Sequence, residues 1–300
     1  MVKKKYDAFQ QYHPLVNFLY FALVLGFSMV LNHPMAQIIS LVCAAAYAIQ
    51  CEGRKAVLFS LKFCLPMFLM TAFFNPAFSH GGVTILTYLP TGNPLTLESI
   101  LYGLSAGCML AGTILWFTSF NRVITSDKFI YLFGRIIPAL SLILSMTLRF
   151  IPKFKSQLDI VVEAQRSIGR DVSNGSILHR LRIAIVILSI MITWALENAI
   201  ETADSMKSRG YGLKGRTAFS IYHFDDRDKT AMVWLCFCGV YLITGTMASA
   251  FSFRYFPSIR GVPINVVTLS FQLVHFMLCT TPILLNILED RRWKAIYSAM

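Results

Sequence analysis

Charge is scarce in this 300-residue chain, where Asp, Glu, Lys and Arg together make up 14% of residues while apolar types make up 56%. A soluble domain carries about a quarter charged residues, so lipid is part of the solvent here. No Cys-x-x-Cys pair occurs among the seven cysteines, and the six histidines lack metal-ligand spacing. Cysteine in such apolar stretches behaves as a small buried hydrophobe, and structural zinc and dithiol redox chemistry lose their usual signatures. No Gly-x-x-x-x-Gly-Lys-[Ser/Thr] loop occurs either. Gly212-Leu213-Lys214-Gly215-Arg216-Thr217 has that composition without the spacing that cradles phosphates, so any ATP is bound elsewhere. His-Glu-x-x-His and Gly-x-Ser-x-Gly are also missing, which leaves no catalytic residues, metal ligands or cofactor-binding residues to nominate.

What is abundant is apolar length. A helix crossing a bilayer needs roughly 20 mostly apolar residues. Six stretches approach or reach that length: Leu15 to Leu31, Pro34 to Gln50, Ala56 to Phe74, Ser99 to Phe117, Ala231 to Phe251 and Ile264 to Leu288. Turn signals separate most of them, including Asn32-His33-Pro34, Glu52-Gly53-Arg54-Lys55 and the Gly/Pro-rich run from Asn75 to Asn93-Pro94. Lys3, Lys4 and Lys5 precede the first run as they would in a signal peptide. No Ala-x-Ala site follows, and further spans do, so the run is read as retained.

The net charge of +12 is sorted by position rather than spread evenly. With the amino terminus inside, every Lys and Arg except Arg254, Arg260 and the intraspan Lys62 falls on the cytosolic side, and the segment from Asn75 to Glu98 has none. The positive-inside rule therefore predicts a multi-pass protein of the cell membrane with both termini cytosolic, and the charge needs no nucleic-acid partner. Lys62 is read as snorkelling or paired in preference to lining an ion pathway.

Three regions follow. Residues 1–117 form an amino-terminal membrane region with four spans, 118–229 a basic cytosolic or leaflet-associated region, and 230–300 a carboxy-terminal region with two spans. In the middle region the apolar patches Ile136 to Leu148 and Ile183 to Leu196 are short for spans. If both crossed, Arg149, Lys153, Lys155, Arg166, Arg170, Arg180 and Arg182 would lie outside. They are read instead as the buried faces of two long helices in or against the cytosolic leaflet. From Phe150 onward, Phe154, Leu158, Val161, Val162 and Ile168 recur at helical spacing with Lys153, Lys155, Asp159, Glu163 and Arg166 on other faces. Asn174-Gly175-Ser176 breaks this helix, and a second is predicted from about Ile177 to Arg209. Asp127 to Phe133 is a shorter amphipathic piece capped by Ser126. Asp225, Asp226 and Asp228 read as a solvated acidic loop, and Glu197 with Glu201 as a helical pair.

The two long helices end alike. Glu163-Ala164-Gln165-Arg166-Ser167-Ile168-Gly169 aligns with Asp204-Ser205-Met206-Lys207-Ser208-Arg209-Gly210, sharing an acid, a small residue, a base, Ser and a terminal Gly at equal offsets. Glycine past the last turn permits the left-handed closing conformation, and a cation there complements the helix dipole. A small residue allows close approach, and an arginine fork pairs with a carboxylate in a groove. Arg-Gly is also an ordinary helix stop; its duplication is what suggests two equivalent docking sites.

On these residues the chain resembles the transmembrane T component of energy-coupling factor (ECF) transporters, the EcfT family, which includes the T proteins of cobalt and biotin importers. Members carry two Ala-Arg-Gly motifs at the ends of two cytosolic coupling helices. Ser208-Arg209-Gly210, followed by Tyr211-Gly212, is similar to the second with Ser for Ala. Ser167-Ile168-Gly169, preceded by Ala164-Gln165-Arg166, is similar to the first, but Ile168 stands where the family usually has arginine, leaving Arg166 or Arg170 to supply the charge.

The resemblance implies an all-α membrane protein of about six transmembrane helices plus two long amphipathic cytosolic coupling helices. It implies a non-catalytic coupling subunit of an ATP-driven importer of vitamins or metal ions. Its partners would be two ATP-binding-cassette ATPase subunits, which bind the ATP, and a substrate-binding membrane S component. The ATPase-docking set would be Ala164, Gln165, Arg166, Ser167, Ile168, Gly169, Arg170, Ser208, Arg209 and Gly210. The competing reading is an ATP-independent secondary transporter or channel, disfavoured because paired mid-membrane charges and broken related helices are not evident.

Overall fold

A computed structural model describes residues 7–79, 81–88, 94–134, 137–171, 176–211, 213, 222–263 and 265–299. The Gly212 to Thr217 run lies almost wholly outside them, as do Lys3 to Lys5, Asn93, Ile136, Asn174 and Gly175. The chain divides into two compact units, residues 1–129 with 222–300, and residues 130–221.

The first unit is a helical bundle. A short 3-10 turn, Phe9–Gln11, leads to α1 (Pro14–Val30) and then α2 (Pro34–Glu52). Both helices open on a His-Pro pair. Proline at the first turn needs no hydrogen-bond acceptor, and the preceding histidine caps the turn: His13 Nδ1 accepts the Leu15 N–H and His33 Nδ1 the Met35 N–H, each at 3.3 Å. Two of the six histidines thus mark helix starts.

The third apolar stretch is not one uniform helix. It comprises α3 (Arg54–Phe59), a π turn (Ser60–Cys64) and α4 (Leu65–Phe78). Lys62 is exposed on the π turn. α5 (Leu97–Val123) packs against α4, and at Gly107 a Cβ would meet the Phe68 ring at 2.8 Å, so only glycine allows this approach. The unit closes with α9 (Asp226–Met247) and α10 (Val266–Ala299).

Its core is aromatic. Phe9, Tyr20, Phe21, Tyr47 and Trp116 are almost fully buried, and the Trp116 indole N–H donates to Ser40 Oγ at 3.0 Å. A donor at membrane depth has no water to fall back on, so this bond fixes the pairing of α5 with α2.

Two small hairpins interrupt the all-α architecture, β1 (Ile85–Tyr88) with β2 (Pro94–Thr96), and β3 (Phe253–Arg254) with β4 (Arg260–Gly261). The buried Glu98 carboxylate ties down the first, accepting the Thr84 N–H at 3.2 Å and hydroxyl at 2.9 Å.

The second unit holds α7 (Pro138–Ser167) and α8 (Ile177–Ser208), while α6 (Ser126–Gly134) bridges the unit boundary. Ser126 is the first residue of α6 rather than its cap. Six helices among the described residues are long and apolar enough to cross a membrane: α2, Arg54–Phe78, α5, α8, α9 and α10. The number equals the expectation but the membership differs. α1 has 17 residues and falls short, while the apolar window of α8 qualifies by composition.

Candidate functional site: two helix tips

Two side chains on α7 and two on α8 set how those helices run. Phe154 packs edge-to-face on Trp194 with ring centroids 5.2 Å apart, and Lys153 Nζ donates to Asn198 Oδ1 while lying 5.6 Å from the Trp194 ring. Further along α7, Val161 is buried with Ile183, Ile187 and Met191 of α8. Partners rise along one helix as they fall along the other, so the pair is antiparallel. Gly169 and Gly210 therefore lie at opposite ends of the pair. Each is roughly 15 residues, or about 23 Å of helix at 1.5 Å per residue, from the Phe154–Trp194 contact.

The ends close in the same way. At the first, Gly169 has φ +80°, its N–H donates to Arg166 O at 3.0 Å, and the Arg170 N–H donates to Gln165 O at 2.9 Å. At the second, Gly210 has φ +70°, its N–H donates to Lys207 O at 2.9 Å, and the Tyr211 N–H donates to Met206 O at 3.0 Å. Each is a complete Schellman closure, with both diagnostic bonds and a left-handed glycine. A cation sits in each last turn, Arg166 and Lys207, where the helix dipole favours it.

Side chains separate the two. The residue between the helix and the glycine is Ile168 in one and Arg209 in the other, and both are exposed, Ile168 at 63%. Ala164, Ser167 and Arg170 are exposed, as is Ser208. Arg166 Nε lies 3.5 Å from Asp171 Oδ2, a long contact between an exposed arginine and a half-buried carboxylate. The shielded Gln165 Oε1 meets no donor among the described residues. Ser167 Oγ donates to Glu163 O at 3.0 Å and Ser208 Oγ to Ser205 O at 2.9 Å, so both serines serve their own helix.

The apolar patches do not serve only as buried faces. In α8, Ile183, Ile187 and Met191 turn toward α7, but Leu181, Ile185, Leu188, Ile192 and Leu196 form a second stripe exposed in the unit. Glu197 and Glu201 are exposed.

Of the three acidic residues at the start of α9, Asp225 and Asp226 are exposed as a solvated loop requires, while Asp228 is not. Asp225 and Asp228 form a capping box, and Asp228 is 3% exposed, accepting the His13 N–H at 3.0 Å. An acid followed three residues later by another, just before an apolar run, was the available signal.

The sequence profile of the cobalt transport protein family, CbiQ, matches residues 12–219. The chain is 32% identical over 107 residues to "Energy-coupling factor transporter transmembrane protein EcfT 1" of Listeria monocytogenes, covering 35% of this chain and 40% of that protein. It is 27% identical over 195 residues to the EcfT protein of Staphylococcus aureus, covering 61% and 69%. For the EcfT protein of Lactobacillus helveticus the figures are 31% over 109 residues, 36% and 39%. The matched stretch thus spans about two fifths of the Listeria and Lactobacillus relatives and about two thirds of the Staphylococcus one.

Proposed function

The chain belongs to the CbiQ cobalt transport protein family, with EcfT proteins among its relatives, and from that premise we propose that it is the coupling subunit of an ATP-driven ECF-type importer. In this reading the tips at Gly169 and Gly210 dock one ATP-binding-cassette subunit each, and those subunits bind and hydrolyse ATP. Closure of the ATPases draws the tips, α7 and α8 pivot about the Phe154–Trp194 contact, and the exposed apolar stripe of α8 reorients a membrane S component that carries the vitamin or metal ion.

The observation that carries the reading is the repetition of one backbone closure at both far ends of an antiparallel helix pair. A single Schellman motif is ordinary helix chemistry. Two at opposite ends of the same pair, each with an exposed cap residue, suit a two-subunit partner. The tips would not be read identically. Arg209 offers a fork for a carboxylate-lined groove, and Ile168 calls for an apolar one, with Arg166 or Arg170 at its rim.

Charge supports cytosolic tips and termini. Arg180 and Arg182 flank one end of α8 and Lys207 and Arg209 the other, so a crossing would leave one basic pair outside. α8 therefore lies along the cytosolic leaflet in this account. In the membrane unit, the amino-terminal turn joins the end of the bundle that bears Arg122, Arg227 and Glu289.

The test is co-purification of the full chain with its ATPase subunits. Wild-type chain retains both, and Arg209→Glu loses them while still inserting in the membrane. Equal retention by that variant would remove Arg209 from the docking role. Solute uptake by the purified chain alone in liposomes without ATP would favour a secondary transporter instead.

A further inference from the structure

The chain leaves the membrane unit after Phe129 and returns to it at Tyr222. Within that unit, both connections are held by one short segment, Asp7 to His13. On the outgoing side, Lys128 of α6 donates from Nζ to the Gln10 carbonyl, while Gln10 Nε2 donates to Arg122 O at the end of α5. On the returning side, the His13 ring packs edge-on against Phe224 at 5.1 Å and Tyr222 at 6.5 Å, and Asp228 takes the His13 N–H. Arg227 lies over the Tyr12 ring at 4.6 Å.

The same segment grips the bundle. The Asp7 carboxylate accepts the Tyr47 hydroxyl at 3.1 Å and the Cys51 thiol at 3.5 Å at the end of α2, and the Phe9 N–H donates to Asn286 Oδ1 of α10 at 3.1 Å. Phe9 itself is 1% exposed in the aromatic core.

A lysine that is 5% exposed is an unusual tie. Burial pushes its ammonium down to about 8, with Asp7 opposing. The charged donor meets that penalty at the Gln10 carbonyl, through which α6 is tied to the amino-terminal segment.

We infer that Asp7 to His13 is a clasp and Lys128 its positioning residue: together they fix the outgoing and returning connections of the coupling unit as one piece, so that movement of that unit reaches the ends of α2, α5, α9 and α10 undamped. The source of that movement rests on the coupling-subunit reading above; the clasp does not.

Hydrogen–deuterium exchange on the full chain in lipid nanodiscs tests the clasp without any partner. Lys128→Met keeps the stem and removes the charged donor. It should speed exchange about tenfold in residues 126–134 and also in 222–228, nearly a hundred positions away in sequence, and Lys128→Arg should restore both. Phe224→Ala should do the reverse, loosening 126–134 from the returning side. Should Lys128→Met fail to fold, Phe224→Ala decides alone. Faster exchange confined to the segment mutated would overturn the inference.

A second arm adds the ATPase subunits with ATP and vanadate. Wild-type chain should then change exchange at residues 47–51 and 286–289, while Lys128→Met changes only at the tips. An identical response in both overturns the inference. If wild-type chain binds no ATPase, the coupling reading falls and the first arm still decides the clasp.

Discussion

The α7 tip and the α8 tip share a backbone and differ in what they display. Gly169 and Gly210 adopt φ of +80° and +70° and close the same pair of hydrogen bonds, yet the exposed cap residue is Ile168 in one and Arg209 in the other. The repeated element is thus a rigid way of ending a helix, and the side chain it presents is free to differ. A partner that grips the helix end needs the closure at both tips, whereas the chemistry of its groove follows the cap residue.

The largest effect should come from reversing charge at the second tip. Arg209→Glu places a carboxylate where a carboxylate groove is expected, and like charge at a buried contact costs several kcal/mol. ATPase affinity should fall more than about a hundredfold in a titration by surface plasmon resonance. The next effect erases the spacing between the tips rather than either tip. Trp194→Ala removes the ring that meets Phe154 and Lys153, a loss of about 2 kcal/mol at a half-buried site. The caps should survive in exchange measurements while simultaneous docking of two ATPases weakens.

Smaller effects probe the closures themselves. Gly169→Ala meets no neighbour within 4 Å, so only the left-handed backbone resists it, at about 1–2 kcal/mol. Gly210→Ala should cost the same in helix-end exchange, and unequal costs would separate the tips at the level of backbone as well as side chain. Ile168→Arg, which makes the tips alike, should leave the complex no weaker when co-purified. A clear loss would show that the first groove demands an apolar residue.

The ends of α7 and α8 and most of the apolar stretches were legible in the sequence because each rests on neighbours a few residues apart. The Gly after Arg209 fixed the end of α8, and runs of apolar residues located α2, α5, α9 and α10. The π turn at Ser60 was not legible, since Ser60-Leu61-Lys62-Phe63-Cys64 reads as ordinary helix. Nor were the partners of the amino-terminal segment. His13 and Asp228 are 215 positions apart, and Phe9 and Asn286 are 277 apart, so no periodicity connects them. Asp228 is buried where the local sequence suggests solvation, although its capping box is visible locally.

The smallest expected effect is one of pH, at the clasp rather than the tips. Burial holds the His13 imidazole below its ordinary 6.5, with Asp228 opposing and Lys128 reinforcing. The unfolded chain then takes up the proton first, so stability is lost as pH falls through 6.5 toward the lower folded value. The protection factor at 222–228, exchange normalised to the intrinsic amide rate at each pH, should fall modestly from about pH 7.5 to 5.5, and His13→Asn, which keeps a capping oxygen, should flatten the profile.

The central claim is that both tips touch ATPases at once. A photo-crosslinking amino acid placed at position 168 in one preparation and at 209 in another, within cells expressing the whole transporter, measures this directly. The account predicts an ATPase adduct from each position, and adducts to lipid alone from either one would contradict it.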